Sequence, residues 1–209
     1  MTLAAVLTGD LIDSTAVEAA RVDHTMATLA EAAKVIAPET PSRFTRYRGD
    51  GWQIHLNRPG NALWAAVYLK AALKADPKCL DTRIAMGIGT VESLGAVGLA
   101  GANGAAFVAS GRSLDGMIAG QTLSLAGEKT DGIQRSLLAF VANTISGWSR
   151  EQAEVMKLKR DLFDLSQQDI ANELDISRQA VGARLQAAGY GLIQQATTAF
   201  RNHYTTAEP

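Results

Sequence analysis

Strand signals run through the first 130 residues and then stop, and this change of periodicity near Asp131 restricts the fold more than any other feature. Before it, short apolar or alternating runs are interleaved with amphipathic helical stretches. After it, every segment reads as helix. Such a chain is expected to fold as an α/β (α+β sandwich) unit over 1–130, a connecting helix over 131–148 and a small all-α unit over 149–209.

Leu3 to Leu7 reads as a buried strand closed by Gly9 and Asp10. Asp13, Ser14 and Thr15 offer caps for a helix that carries Val17, Val22, Met26 and Leu29 inward to Ile36, with Pro38 and Pro41 as its stop. Arg43 to Leu56 reads as a β-hairpin. Its arms are Phe44–Arg48 and an alternating Trp52, Ile54, Leu56 run, and its turn is Gly49-Asp50-Gly51. Further expectations are a helix over 61–75, a strand over 82–89, a glycine-rich loop over 98–104, a helix over 105–118 and an edge strand over 121–125. The order β-α-β-β-α-β-loop-α-β packs helices on one sheet. Beyond Asp131, Ile133, Leu137, Leu138, Val141 and Ile145 recur at helical spacing, and Ser149 caps the next helix.

Composition excludes several classes. The chain is 47% hydrophobic and 20% charged with a net charge of −1, which fits a folded globular protein and excludes a uniformly basic nucleic-acid coat. Cys79 is the single cysteine, so no intramolecular disulfide and no Cys-based zinc site is expected. The opening residues lack a basic leader region, and the first apolar run is far too short to span a bilayer. A cytoplasmic protein with no membrane partner is the expectation.

Asp10 follows the first strand and Asp50 sits in the hairpin tip, so a β-α-β-β arrangement can set them side by side on adjacent strands. Two neighbouring carboxylates repel unless a cation lies between them, which suits Mg²⁺ or Mn²⁺ and a nucleotide phosphate. The plainer alternatives are a hairpin turn at Asp50 and a strand end at Asp10. The loop over 98–104, with Gly101 and Gly104, is a phosphate-loop candidate that departs from the dinucleotide fingerprint.

The most specific motif lies in the tail. Gln167 to Leu185 has helix-turn-helix spacing: Ala171 at the crossing, Asp175 in the turn, Ile176 and Val181 plugging the interface, and Ser177 capping the second helix. Ser177, Arg178, Gln179, Gly182, Arg184 and Gln186 are the DNA-binding candidates, with arginine and glutamine able to reach base edges or phosphates. From Arg150 to the end, seven basic residues face eight acidic ones, so a monomer is expected to bind weakly. Packing or dimerisation is the alternative use.

The segments Val6–Thr15, Arg46–Asp50 and Arg83–Gly89 resemble, in order and separation, strands of the class III nucleotide cyclases. The resemblance implies a cyclase/ferredoxin-like palm, metal ligation by Asp10 and Asp50 beside Gly49, and a triphosphate contact from Arg112 across a dimer. Val108 and Ala105 stand where that family carries polar residues. More closely, Gly101–Arg112, Trp148–Gln152 and Ser166–Tyr190 resemble the SatD family of bacterial proteins across nearly the whole chain. The expectation is a homodimeric regulator that binds a nucleotide or metal and DNA. A metal-dependent nucleotidyl- or phosphoryl-transfer enzyme and a degenerate scaffold are the alternatives.

Overall fold

The structure, a computed structural model, describes residues 3–36, 44–47, 49–96, 98–159 and 165–205. Pro38, Pro41, Arg43 and Arg48 lie outside the described residues, as do Arg160, Asp161, Asp164 and Glu208 of the tail's charge balance.

Five strands form one mixed sheet: β1 (Leu3–Leu11), β2 (Phe44–Tyr47), β3 (Gly51–Leu56), β4 (Thr82–Thr90) and β5 (Leu123–Gly127), in the order β2-β3-β1-β4-β5. β1 is central and antiparallel to both β3 and β4, whereas β5 joins β4 in parallel through a helical crossover. Helices α1 (Ala19–Ile36), α2 (Ala62–Lys74) and α3 (Ala105–Asp115) belong to this part of the chain. The tail adds α4 (Gly132–Ser146), α5 (Arg150–Leu158), α6 (Gln167–Leu174), α7 (Arg178–Ala187) and α8 (Tyr190–Thr205).

The period of two along each strand sorts the side chains between the faces. In register, Leu7, Ile54, Met86 and Leu125 lie in one row and bury toward α1 and α2. The opposite face of β4 carries Arg83, Ala85, Gly87 and Gly89. Its small residues let α3 lie directly on the strand: a Cβ on Gly87 would stand 2.2 Å from the Ala106 carbonyl oxygen and 2.4 Å from the Ser110 nitrogen. The result is three layers, with α3 on one side of the sheet and α1 and α2 on the other.

β1 continues through Gly9 and Asp10 to Leu11 rather than ending at them. Gly9 is there because Trp52 from β3 lies across it. A Cβ at Gly9 would stand 2.4 Å from the indole ring. Ser14–Ala16 form a 3-10 turn, with Asp13 in left-handed backbone, before α1 starts at Ala19. Asp131 and Ser149 each close a capping box, which explains why α4 and α5 begin where they do.

The helical tail packs on α2. Buried residues of α4, α5, α7 and α8 join the same apolar core as α2 and the sheet. α8 also bonds to the sheet unit, with the Arg201 Nε donating to the Asn61 Oδ1 at 3.2 Å and Tyr204 paired with Thr130. No described helix is long and apolar enough to cross a membrane.

Candidate functional site

The strand order brings the two aspartates to one end of the sheet. Asp10 is in register with Gly51, and the Leu11 amide donates to the Asp50 carbonyl at 3.2 Å. Gly49 makes the hairpin turn with φ of +80°, a left-handed backbone that glycine adopts without strain. The Ser14 hydroxyl donates to the Asp50 carboxylate. The loop after β1 thereby holds the hairpin tip.

Asp10 shares the sheet face covered by α3, and its partner there is Arg83. The Arg83 Nε donates to Asp10 Oδ1 at 2.8 Å, and a second guanidinium nitrogen donates to Oδ2, giving a two-point fork. This pairing holds the guanidinium above its ordinary value, with Asp115 and Asp50 adding to the effect. Three carboxylates therefore act on one cation. A cleft of about 350 Å³ opens beside Arg83, bordered by Leu11, Asp13, Ile118 and Thr122.

Toward the middle of the same face the floor is polar. The Gln53 amide donates to the Thr8 hydroxyl at 3.2 Å, and Thr8 is 2.7 Å from the buried Ser110 hydroxyl of α3. On the opposite face the site rests on a strut. The Trp52 indole N–H donates to the Thr82 hydroxyl at 2.9 Å, and that hydroxyl donates to the Asp10 carbonyl at 2.6 Å.

The other sequence candidates sit elsewhere. Arg112 is exposed on the outward stripe of α3 together with Val108, which is half exposed. Gly104 precedes α3 against Thr90, at the end of β4 opposite Arg83. Along the strand that separation is about 20 Å. Gly101 belongs to the same loop, tied to β2 through the Leu99 amide and the Thr45 hydroxyl at 2.7 Å. Within one chain, Gly101 and Gly104 do not meet Asp10 and Asp50.

Sequence reading missed Arg83, Thr82 and Asp115 as members of this site. A partial signal was present: Arg83 is the one charged residue of the segment Thr82–Thr90.

In the tail, α6 and α7 are joined by a tight turn in which Asp175 has φ of +51°. The Ser177 hydroxyl accepts from the Ala180 amide at 3.1 Å, and Ile170, Ala171, Val181 and Leu185 are buried between the helices. Ser177, Arg178, Gln179 and Gln186 are exposed, and Gly182 is half-buried. Arg184 differs, being half-buried with its guanidinium 3.6 Å from Glu154 of α5. Arg178 is thus the more open arginine of α7. Compared with protein-family models, curated proteins and solved structures, the chain matches none.

Proposed function

We propose that this protein is a cytoplasmic, homodimeric regulator. Its sheet unit, read as a cyclase-like palm, binds a nucleotide with Mg²⁺ or Mn²⁺ at Asp10 and Asp50. Its α6-turn-α7 unit, read as a helix-turn-helix, binds DNA. The observation that carries the reading is the convergence of Asp10 and Asp50 on one cation, Arg83, beside an open cleft.

A carboxylate pair of this kind suits a hard divalent ion, which when bound neutralises phosphate charge. Asp10 and Asp50 would hold it, and Arg83, one planar fork of donors now on Asp10, would then be available to phosphate oxygens. The stripe of Val108 and Arg112 faces outward, so Arg112 serves a neighbouring copy rather than its own acids. The resemblance to the SatD family supports joining the two units in one chain. An aliphatic Val108 on that stripe cannot position a ribose or a hydroxyl nucleophile, which favours a sensor over a cyclase.

The DNA half is tested by selection of binding sequences followed by titration. Arg178→Ala with Gln179→Ala is expected to cost about 1–3 kcal/mol at the preferred site and to relax sequence preference. Unchanged discrimination among sequences would remove α7 as the reading helix.

A further inference from the structure

Apart from the acid pair, three residues that no sequence motif joins meet on the surface. His24 lies on α1, and Asp76 and Cys79 lie in the turn between α2 and β4. We propose that His24, Asp76 and Cys79 bind one divalent transition-metal ion of the zinc class, which clamps α1 to that turn.

The geometry is close to a ligand set. His24 Nε2 stands 2.7 Å from Asp76 Oδ2, and one ligand atom from each of the three residues lies within 4.8 Å of the others. Metal–ligand bonds of about 2.0–2.3 Å in a tetrahedral shell put ligand atoms roughly 3.5 Å apart. Small side-chain rotations, opening the His24–Asp76 contact and drawing in the thiol, reach that spacing. Water completes the fourth position.

The surroundings already aim these groups. The Lys78 amide donates to Asp76 Oδ1 at 2.9 Å, which leaves Oδ2 directed at His24. The Cys79 amide donates to the Asp76 carbonyl at 3.0 Å, and Arg21 donates to the Lys78 and Cys79 carbonyls. The turn is therefore fixed before an ion arrives. Such partners orient ligands in metal sites.

The donor types select the ion. A thiolate, an imidazole and a carboxylate suit Zn²⁺ or Co²⁺, whereas Mg²⁺ and Ca²⁺ require oxygen shells. Thiolate and carboxylate together balance the two charges of the ion. Coordination displaces the thiol proton, so binding strengthens as pH rises. The single cysteine excludes a Cys-rich site, but the fold supplies nitrogen and oxygen ligands beside it.

The test is a Co²⁺ titration of the metal-free full chain, read by the near-ultraviolet thiolate-to-cobalt band and followed by displacement with Zn²⁺. One ion per chain is expected, with the band absent in Cys79→Ser. His24→Ala and Asp76→Asn should weaken binding by at least the roughly 10–100-fold that even outer partners contribute. The His24 side chain is 42% exposed, so its loss leaves the core intact. Absence of the band in the parent protein would overturn the proposal. So would a band of unchanged affinity in His24→Ala and Asp76→Asn, because that would report the cysteine alone.

Discussion

Trp52→Ala is expected to destabilise the protein by about 3–5 kcal/mol, the largest loss of any single substitution near the candidate site. The indole is fully buried, fills the space that Gly9 leaves open and donates to the Thr82 hydroxyl. Truncation leaves a cavity beneath Asp10 and removes the donor in one step. Trp52→Phe keeps most of the apolar volume and loses the hydrogen bond, so about 1–2 kcal/mol is expected. Urea denaturation of the three proteins measures both values. An alanine variant within about 1 kcal/mol of the parent would mean that the hairpin does not depend on this strut.

The second large effect concerns Lys70, which lies in the apolar helix α2 with its side chain 2% exposed. Its ammonium donates to the Asp81 carboxylate and to the Thr82 carbonyl, the latter at 2.9 Å. Burial pushes its pKa below the ordinary 10.5, while Asp81 pushes it back up. Asp81→Asn leaves the buried charge without its counter-ion. Because Asp81 is itself partly open to solvent, about 3 kcal/mol is expected, the low end for a broken buried pair.

The pH dependence has a defined sign. Between the folded value of Lys70 and 10.5 the unfolded chain binds more protons, so this group makes stability rise with pH across that window. Below the folded value its penalty is fully present. Asp81→Asn lowers the folded value further and widens the window. The deficit of the variant should therefore be greatest near neutral pH and shrink under alkaline conditions. A deficit that does not change with pH would show that lost packing, not the stranded charge, dominates.

Much of the sheet was legible, β1 and β4 as near-continuous apolar runs and β3 as an alternating one. Trp52, Ile54 and Leu56 are buried as their alternation requires, and the Gly49–Asp50 turn lies where the residue types put it. The end of β1 was misread for a tertiary reason. Gly9 looks like a breaker, yet it is a seat for an indole that arrives from a strand more than forty residues away. The helix starts at Ser149 and Ser177 were carried by local capping chemistry, which needs no distant partner.

The site was only partly legible. Adjacent strands made the meeting of Asp10 and Asp50 deducible from strand order. The Arg83 fork needed the register of β1 against β4, which hydropathy does not specify. Nothing local marks His24, Asp76 and Cys79 as neighbours, since only tertiary packing brings α1 onto α2 and the turn after it. Arg184 is a similar case. It looks outward by spacing, but Glu154 on α5 claims it.

The most direct test of the proposed site is a thermal-shift screen of the purified protein against nucleoside triphosphates, with and without Mg²⁺ or Mn²⁺. At ligand about 100-fold above its dissociation constant, stabilisation of about 2.7 kcal/mol, or roughly 5–10 °C, is predicted. It should require both the ion and one preferred nucleotide, and it should vanish in Asp50→Ala. A melting temperature that stays flat for every nucleotide with either ion would contradict a nucleotide-binding role for Asp10 and Asp50.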